Sequence, residues 1–541
     1  MTSAKPGART VRDAAFEVMR ERGLTTIFAN PGSTEVAFLG GLPDDMRFVL
    51  ALHEGSLVGM ATGYAIGRGE PAFVLVHTTA GLGNAVSALA TARVNRAPLV
   101  VLVGQQDRRH LAQEPFLAGR LHGLAGEYPV WVDHPVRAQD VPGALARAWH
   151  EARTGRGPAL VIVPMDDWLA PAPEDHEVAA PRRLLHARAA DPAAVTELAD
   201  LLSEADSPAL VVGAGADSAE AWAALVELAE RLGAPVWQES FGARAGFPQD
   251  HPHFAGHLPA GRARLRAALA GNDVVLAVGA AAFRQYPYEP GPLVREGTRV
   301  AVVTDDPAEA HRSPVELALL APPAAVCREL VGLVPERSAA APAPMARPPA
   351  PAPPGPGEPL RAGHVLAALA ERLPPDTVLV EEAPSARPDL LARVAARRPL
   401  GFLSAAMGGL GFGLSAPIGV RMALPDRPVV AVVGDGSSLY AIQALWSAAR
   451  YEVGALFVVL SNGGYRVMDR LAEGQGEPAP WPAFESIDIA AMARAQGCEA
   501  RRVESHDELV EALDDALTGL AGRTHPLLLE VVVSPDSDFQ P

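Results

Sequence analysis

Only two cysteines, Cys327 and Cys498, occur in 541 residues. That is too few for a disulfide framework or a cysteine-based zinc site, and it fits a reducing compartment. Basic side chains are also short in number: 46 Lys and Arg against 63 Asp and Glu leave a formal charge of -17. Such a surface repels phosphate backbones and anionic lipid, so nucleic acid is excluded as an expected partner. The N-terminal MTSAKPGARTVRDAAFEVMRERG lacks the uninterrupted apolar core of a signal peptide, and a cytoplasmic protein is expected. One charge-free stretch, Phe402 to Val420 (FLSAAMGGLGFGLSAPIGV), is about long enough to span a bilayer. Its glycines and Pro417 favour close backbone approach to something buried over a lipid-facing helix, so no membrane partner is expected. What is abundant is apolar residue, 49% against 20% charged, a globular balance that at this length predicts roughly three to four compact units.

Short Val/Leu/Ile runs alternate with Ala-rich stretches of helical length, the pattern of an α/β protein with parallel sheets. TTIFANPG, FVLALHE, AFVLVHTTAG, PLVVLVGQQ and ALVIVP each end in Gly, Pro or polar residues, where parallel sheets open their functional edges. They predict a first domain over 1–180. PALVVGAGA, APVWQES, DVVLAVGAA and RVAVVTDDP predict a second over 181–335. The segment that follows, 336–360, is too rich in Ala and Pro to pack a core and suits an extended linker. TVLVEEA, PVVAVVGDG, ALFVVLSNGG and PLLLEVVVS predict a third domain over 361–541. The expected fold is α/β, with three doubly wound parallel-sheet domains, the first and third alike in element order.

The most informative motif is VVGDGSSLY, Val432 to Tyr440, followed by VVLSNGGY ending at Tyr465. Both fall at strand ends. The Asp435 carboxylate and the Asn462 carbonyl, leaving neighbouring strands, supply two hard oxygen ligands suited to Mg2+. The Gly464 main-chain carbonyl, a water and two diphosphate oxygens would complete its octahedron, and a helix expected to start near Ser438 would aim free N–H groups at the phosphates. Alone, Gly-Asp-Gly also reads as a tight turn with a capping Asp; its pairing with Ser-Asn-Gly is the rarer feature. Glu54, in the strand-like FVLALHEGS, is a carboxylate in an apolar run, and buried acids need partners; by itself it reads more readily as a capping or exposed residue. His77 closes another apolar run, and Ser33, in ANPGSTE, would cap the helix that follows. Their joint placement on one edge of a parallel sheet is what points to a ligand.

Together NPGSTE, ALHE, HTTAGLGN, GGLGFGLSAPIGV, GDGSSLY and SNGGY resemble the superfamily of thiamine-diphosphate-dependent decarboxylases and acetolactate synthases, the benzoylformate decarboxylases most of all. The likeness runs on through GQQDR, VPMDDW, FRQYPYEPG and QALWSAARY, over nearly the whole chain. It implies a pyrimidine-binding domain, a central domain and a diphosphate- and Mg-binding domain, in that order. It also implies thiamine diphosphate (ThDP) and Mg2+ as cofactors and decarboxylation of a 2-oxo acid to an aldehyde, with carboligation as a further outcome. An acetolactate-synthase-type carboligase and a catalytically silent ThDP-binding protein are the alternatives.

Position by position, Glu54 resembles the carboxylate that bonds the aminopyrimidine ring, Leu410 the side chain that bends the cofactor, and Gly408 the carbonyl that accepts from its amine. Asp435, Asn462 and Gly464 resemble the metal ligands, and Ser385, Gly436, Ser437 and Tyr440 match positions near the diphosphate. Ser33 and His77 match residues that contact the substrate carboxylate and shuttle protons. Phe116, Leu117, Val467 and Leu471 match pocket-lining positions and argue for an apolar substituent, although as apolar residues they read equally as core. Each site is implied to form between two chains, giving a homodimer at minimum and a homotetramer by resemblance.

Two departures stand out. Where benzoylformate decarboxylases place a second active-site His, this chain has Tyr286, a phenol that ordinarily titrates near pH 10 and is a poorer proton shuttle at neutral pH than imidazole. Pro384 stands where a Thr would touch the diphosphate. The central VVGAGADSAE has Gly-x-Gly without a third Gly, a weak dinucleotide signal, and FAD is not expected.

Overall fold

Among the described residues the apolar runs become eighteen strands in three sheets of six, every paired neighbour parallel. The computed structural model describes residues 9–172, 178, 180–185, 187, 189–337, 342–355, 357–476 and 478–535. The first sheet comprises β1 (Thr26–Asn30), β2 (Arg47–Leu50), β3 (Ala72–His77), β4 (Leu99–Gln105), β5 (Trp131–Asp133) and β6 (Pro158–Pro164), in the order β2-β1-β3-β4-β6-β5. The second comprises β7 (Pro208–Val212), β8 (Val236–Gln238), β9 (Phe254–His257), β10 (Val274–Val278), β11 (Arg299–Thr304) and β12 (Leu317–Leu320), in the order β12-β11-β10-β7-β8-β9. The third comprises β13 (Val378–Glu382), β14 (Phe402–Ser404), β15 (Val429–Gly434), β16 (Leu456–Ser461), β17 (Glu499–Val503) and β18 (Leu527–Val532), in the order β14-β13-β15-β16-β18-β17. The first and third sheets therefore share one strand order. Helices cover both faces, so β4 and β6 are buried along their whole length, which is why the sequence shows unbroken apolar runs rather than alternation.

Doubly wound sheets open a crevice where consecutive connections leave in opposite directions. In the first sheet that point lies between β1 and β3, and in the third between β13 and β15. In the second it lies between β7 and β10, where a Cβ on Gly215 would meet the Gly279 backbone and the Arg96 guanidinium. Arg96, beyond the helix Thr78–Val94, donates to Asp305 at 2.6 Å and ties the first sheet's layer to the second.

One hydrophobic core runs through the first and third sheets. Its centre is the packing of helix Glu54–Arg68 on helix Phe412–Ala423. The approach is backbone on backbone: a Cβ on Gly63 would lie 2.1 Å from the Ala416 carbonyl, and one on Gly419 would lie 1.8 Å from that of Met60. The charge-free stretch thus becomes β14 and a buried helix that carries Pro417 inside it. Among the described residues no helix is long and apolar enough to cross a membrane.

Two local expectations are corrected. The strand in FVLALHEGS ends at Leu50, and Glu54 is the first residue of a helix. His53 caps that helix, its Nδ1 accepting the Gly55 N–H at 3.0 Å, while Leu57, Val58, Ala61 and Ala65 supply a helical apolar face. The helix expected near Ser438 starts at Asp435 and lasts four residues, because Asp435 bonds the Gly436 N–H and the Ser438 hydroxyl folds back onto the Asp435 carbonyl at 2.7 Å. In the Pro/Ala-rich segment, the described residues from 342 to 355 form no helix or strand but are held along the surface. Met345 N–H donates to Phe254 and Arg347 to the Gln249 carbonyl.

Candidate functional site

At the third sheet's switch point a cavity of 180 Å³ is lined by Ser385, Leu410, Asp435, Gly436, Ser437, Asn462, Gly464 and Val467, with Pro384 at its border. Strands β15 and β16 pair with Gly434 beside Leu460, so Asp435 and Asn462 emerge side by side. The Asp435 oxygens accept the Gly436 N–H at 2.8 Å and the Gly463 N–H at 2.6 Å, which pins the two loops together. Asn462 Oδ1 accepts the Gly464 N–H at 3.2 Å. Burial pushes the Asp435 carboxyl above its ordinary range, opposed by these N–H donors. Among the described residues no group of three or more His, Cys, Asp or Glu side chains is placed to hold a metal. Asp435, Asn462 and the Gly464 carbonyl therefore fit a hard cation only as half a shell, completed by oxygens that a diphosphate would bring.

The first sheet's switch point gathers a different set. Glu54 is 7% exposed, and its two oxygens accept from Asn30 Nδ2 at 3.0 Å and Asn84 Nδ2 at 3.1 Å. Neither asparagine was singled out in the sequence, although both lie inside quoted motifs. His77 Nδ1 bonds Glu35 Oε2 at 3.0 Å and Thr34 Oγ1 at 3.0 Å. Glu35 is fully buried and also accepts the Gly32 N–H at 2.7 Å. Sequence reasoning missed it too; its place in NPGSTE, in the turn that follows β1, was the only signal. Ser33 is exposed and does not cap a helix, since Gly32 precedes the single turn Ser33–Glu35 and offers no side chain. In the single chain neither Glu54 nor His77 lines the cavity that holds Asp435.

A second cavity of 390 Å³ adjoins the first through Pro384 and Leu410 and is lined also by Gly408, Phe241 and Tyr286. Tyr286 is 55% exposed and stands edge-on to Phe241. Beneath it Glu382, buried in β13, accepts the Gly411 N–H at 2.7 Å and the Gly413 N–H at 2.5 Å, fixing the loop that carries Leu410. Burial pushes Glu382 up to about 8, against those two donors. A carboxyl raised in the folded state binds its proton more tightly there than in the unfolded chain. Its contribution to stability is full below about pH 4.3 and is lost as the pH rises toward 8. Urea unfolding between pH 5 and 8.5 is expected to show this decline, by up to about 1.4 kcal/mol per pH unit, and a flatter slope in Glu382→Gln. Equal slopes would contradict it.

Besides Glu54, His77 and Ser33, four predicted residues stand apart from both cavities. Phe116 is 86% exposed and Leu117 has φ 67°; the chain bends outward there because Glu114 and Leu117 both take left-handed backbone. Leu471 lies on helix Arg466–Gly474 without lining either cavity, and Tyr440 is 55% exposed at the rim beside Gly411.

Three family models match the chain. They are the N-terminal TPP binding domain of thiamine pyrophosphate enzymes over residues 9–123, their central domain over 195–330 and their C-terminal TPP binding domain over 389–531. The chain belongs to the thiamine pyrophosphate enzyme family. It is 40% identical over 529 residues to a benzoylformate decarboxylase of Pseudomonas aeruginosa, covering 97% of this chain and 98% of the relative. It is 25% identical to the acetolactate synthase large subunit of Corynebacterium glutamicum, covering 100% of this chain and 89% of that one. Among solved structures it resembles the thiamine diphosphate-dependent 4-hydroxybenzoylformate decarboxylase of Rhodococcus jostii (TM-score 0.93, 36% identity) and the benzoylformate decarboxylase of Polynucleobacter necessarius (TM-score 0.93, 33% identity). Each likeness covers 98% of this chain and 100% of the other.

As a thiamine pyrophosphate enzyme, the chain carries a TPP-binding domain at each end, and each end supplies one switch-point cluster. The half shell at Asp435 falls within the C-terminal model, and Glu54, His77 and Asn84 fall within the N-terminal one.

Proposed function

We propose that the protein is a ThDP- and Mg2+-dependent carboxy-lyase that decarboxylates a benzoylformate-like 2-oxo acid to an aldehyde. The observation that carries this reading is Glu54, a buried carboxylate held between two asparagine amides, in a chain whose whole length matches a benzoylformate decarboxylase at 40% identity. A protein that only stored the cofactor would have no chemical need for that acid. When bound, ThDP supplies the electron sink for the bond that breaks as CO2 leaves.

The remaining work belongs to the chain. Asp435, Asn462 and the Gly464 carbonyl would hold Mg2+, while Ser385, Gly436 and Ser437 would face the diphosphate and Tyr440 would border it. Leu410 would support ThDP, and the Gly408 carbonyl would accept from its amine. Glu54 holds a proton at the pyrimidine side. Ser33 and His77 meet the substrate carboxylate and move protons, with Glu35 fixing His77 through Nδ1 and leaving Nε2 free to act. Val467 lines the cavity that holds Asp435, and Phe116, Leu117 and Leu471 would help to exclude water only once a second subunit closes over them, which would favour loss of a charged carboxylate. Because Glu54 and Asp435 line no common cavity in one chain, the reading needs two: Glu54 of one subunit opposite Asp435 of another, in a cytoplasmic homodimer or a tetramer built from such dimers.

Assays of CO2 release from aryl, branched and short 2-oxo acids, with ThDP and Mg2+ and with or without an acceptor aldehyde, test the reading; release that does not depend on ThDP would defeat it. A carboligase reading is favoured by one observation, the phenol of Tyr286 in place of an imidazole. Slower protonation would leave more time for attack on an acceptor. Tyr286→His is expected to raise aldehyde relative to hydroxy ketone by about tenfold or more. An unchanged product ratio and turnover in Tyr286→Phe would remove the phenol from the chemistry.

A further inference from the structure

The second cavity contains a polar device that this mechanism leaves unused. Arg387 opens helix Arg387–Arg393, and its Nη1 donates to the Glu381 carboxylate and, at 2.8 Å, to the Ser404 hydroxyl. Parallel pairing sets Glu381 of β13 beside Ser404 of β14, so the three meet at the sheet edge. Glu381 is spent. Its Oε1 accepts the Ala383 N–H at 2.9 Å, and its Oε2 accepts from both Arg387 and Ser404.

Arg387 is not spent. Its Nε and Nη2 donate to no described residue, and its guanidinium lies 5.9 Å from the ring centres of both Phe241 and Phe402. Arg284 lines the same cavity and uses Nη1 on the Phe241 carbonyl at 2.9 Å. The hydrogen-bonding capacity that these two arginines leave open is donor capacity. Gly408 and Leu410 also line this cavity, so bound ThDP would share its volume with the substrate. An apolar cavity of about 150 Å³ already holds benzene, and this one measures 390 Å³.

We propose, on the footing of the decarboxylase reading, that this cavity holds the far end of the 2-oxo acid and that Arg387 recognises an acceptor oxygen there, a carboxylate in the first place. Glu381 and Ser404 fix one nitrogen of the planar guanidinium and offset its charge, which leaves the Nε and Nη2 edge as a fork matched to two oxygens. This revises the expectation of a purely apolar substituent. The aromatic faces of Phe241 and Tyr286 accommodate the ring, and Arg387 selects what the ring carries.

The test is kcat/KM for CO2 release by the holoenzyme from benzoylformate and from its 4-carboxy and 4-methyl derivatives. The 4-carboxy compound is expected to exceed the 4-methyl compound by at least about tenfold, since a site built to hydrogen-bond an oxygen discriminates strongly against an analogue lacking it. Arg387→Lys keeps the charge but loses the fork, and should collapse that ratio toward unity, chiefly through KM. The wild-type comparison stands even if the variant does not fold. Turnover of all three acids without preference for the carboxylate would overturn the inference alone. No turnover of any 2-oxo acid would overturn the decarboxylase reading and the inference with it.

Discussion

Asp435→Ala is expected to abolish Mg2+-dependent ThDP binding, weakening it on the order of 100-fold or more. The proposed half shell has only one charged ligand, and an amide and a main-chain carbonyl cannot replace it. Asp435 also holds the Gly436 and Gly463 N–H groups, so alanine frees two loops as well as losing a ligand. Asp435→Asn separates these effects: an amide oxygen keeps one N–H bond but not the charge, and binding should still fail. Calorimetric titration of the apoprotein with ThDP and Mg2+ measures it, with thermal unfolding as a check on the fold. Unchanged cofactor affinity in Asp435→Ala would remove the site assignment.

Glu54→Gln should do the opposite, leaving the cofactor bound and stopping its activation. Both Glu54 oxygens accept from asparagine amides, so the acid is positioned rather than mobile. A Gln of the same shape would keep the position once one asparagine amide reverses. What it loses is the ability to hold and release a proton, a role usually contributing about 100- to 10,000-fold. Exchange of the C2 hydrogen of bound ThDP for deuterium, followed by quenched NMR, should slow by that order while calorimetric affinity stays within about tenfold. Equal exchange rates in both proteins would exclude Glu54 from the chemistry.

The fold was legible because parallel strands covered on both faces read as unbroken apolar runs closed by Gly, Pro or polar residues. Runs such as PLVVLVGQQ and ALVIVP became β4 and β6. Glu54 was misassigned to a strand because the apolar residues before it continue without a break, and the His53 cap that ends the run is a side-chain event. Most of the Asp435 cluster was readable because its members leave the ends of adjacent strands. Partnerships that depend on tertiary pairing were not. Glu35 meets His77 from 42 residues away, and Glu381 meets Ser404 only through the register of β13 and β14. Phe116 and Leu117, placed in the pocket by resemblance, lie on an outward bend of the single chain, where only a second subunit would enclose them.

The proposed dependence on a second subunit offers the most direct measurement. A Glu54→Gln chain and an Asp435→Ala chain, each inactive alone, are to be co-expressed with different affinity tags and the mixed dimer isolated. If each site takes Glu54 from one subunit and Asp435 from the other, the mixed dimer holds one doubly damaged site and one intact site. It should recover about half the wild-type rate of ThDP-dependent CO2 release per dimer. A mixed dimer as inactive as either parent would contradict the shared site.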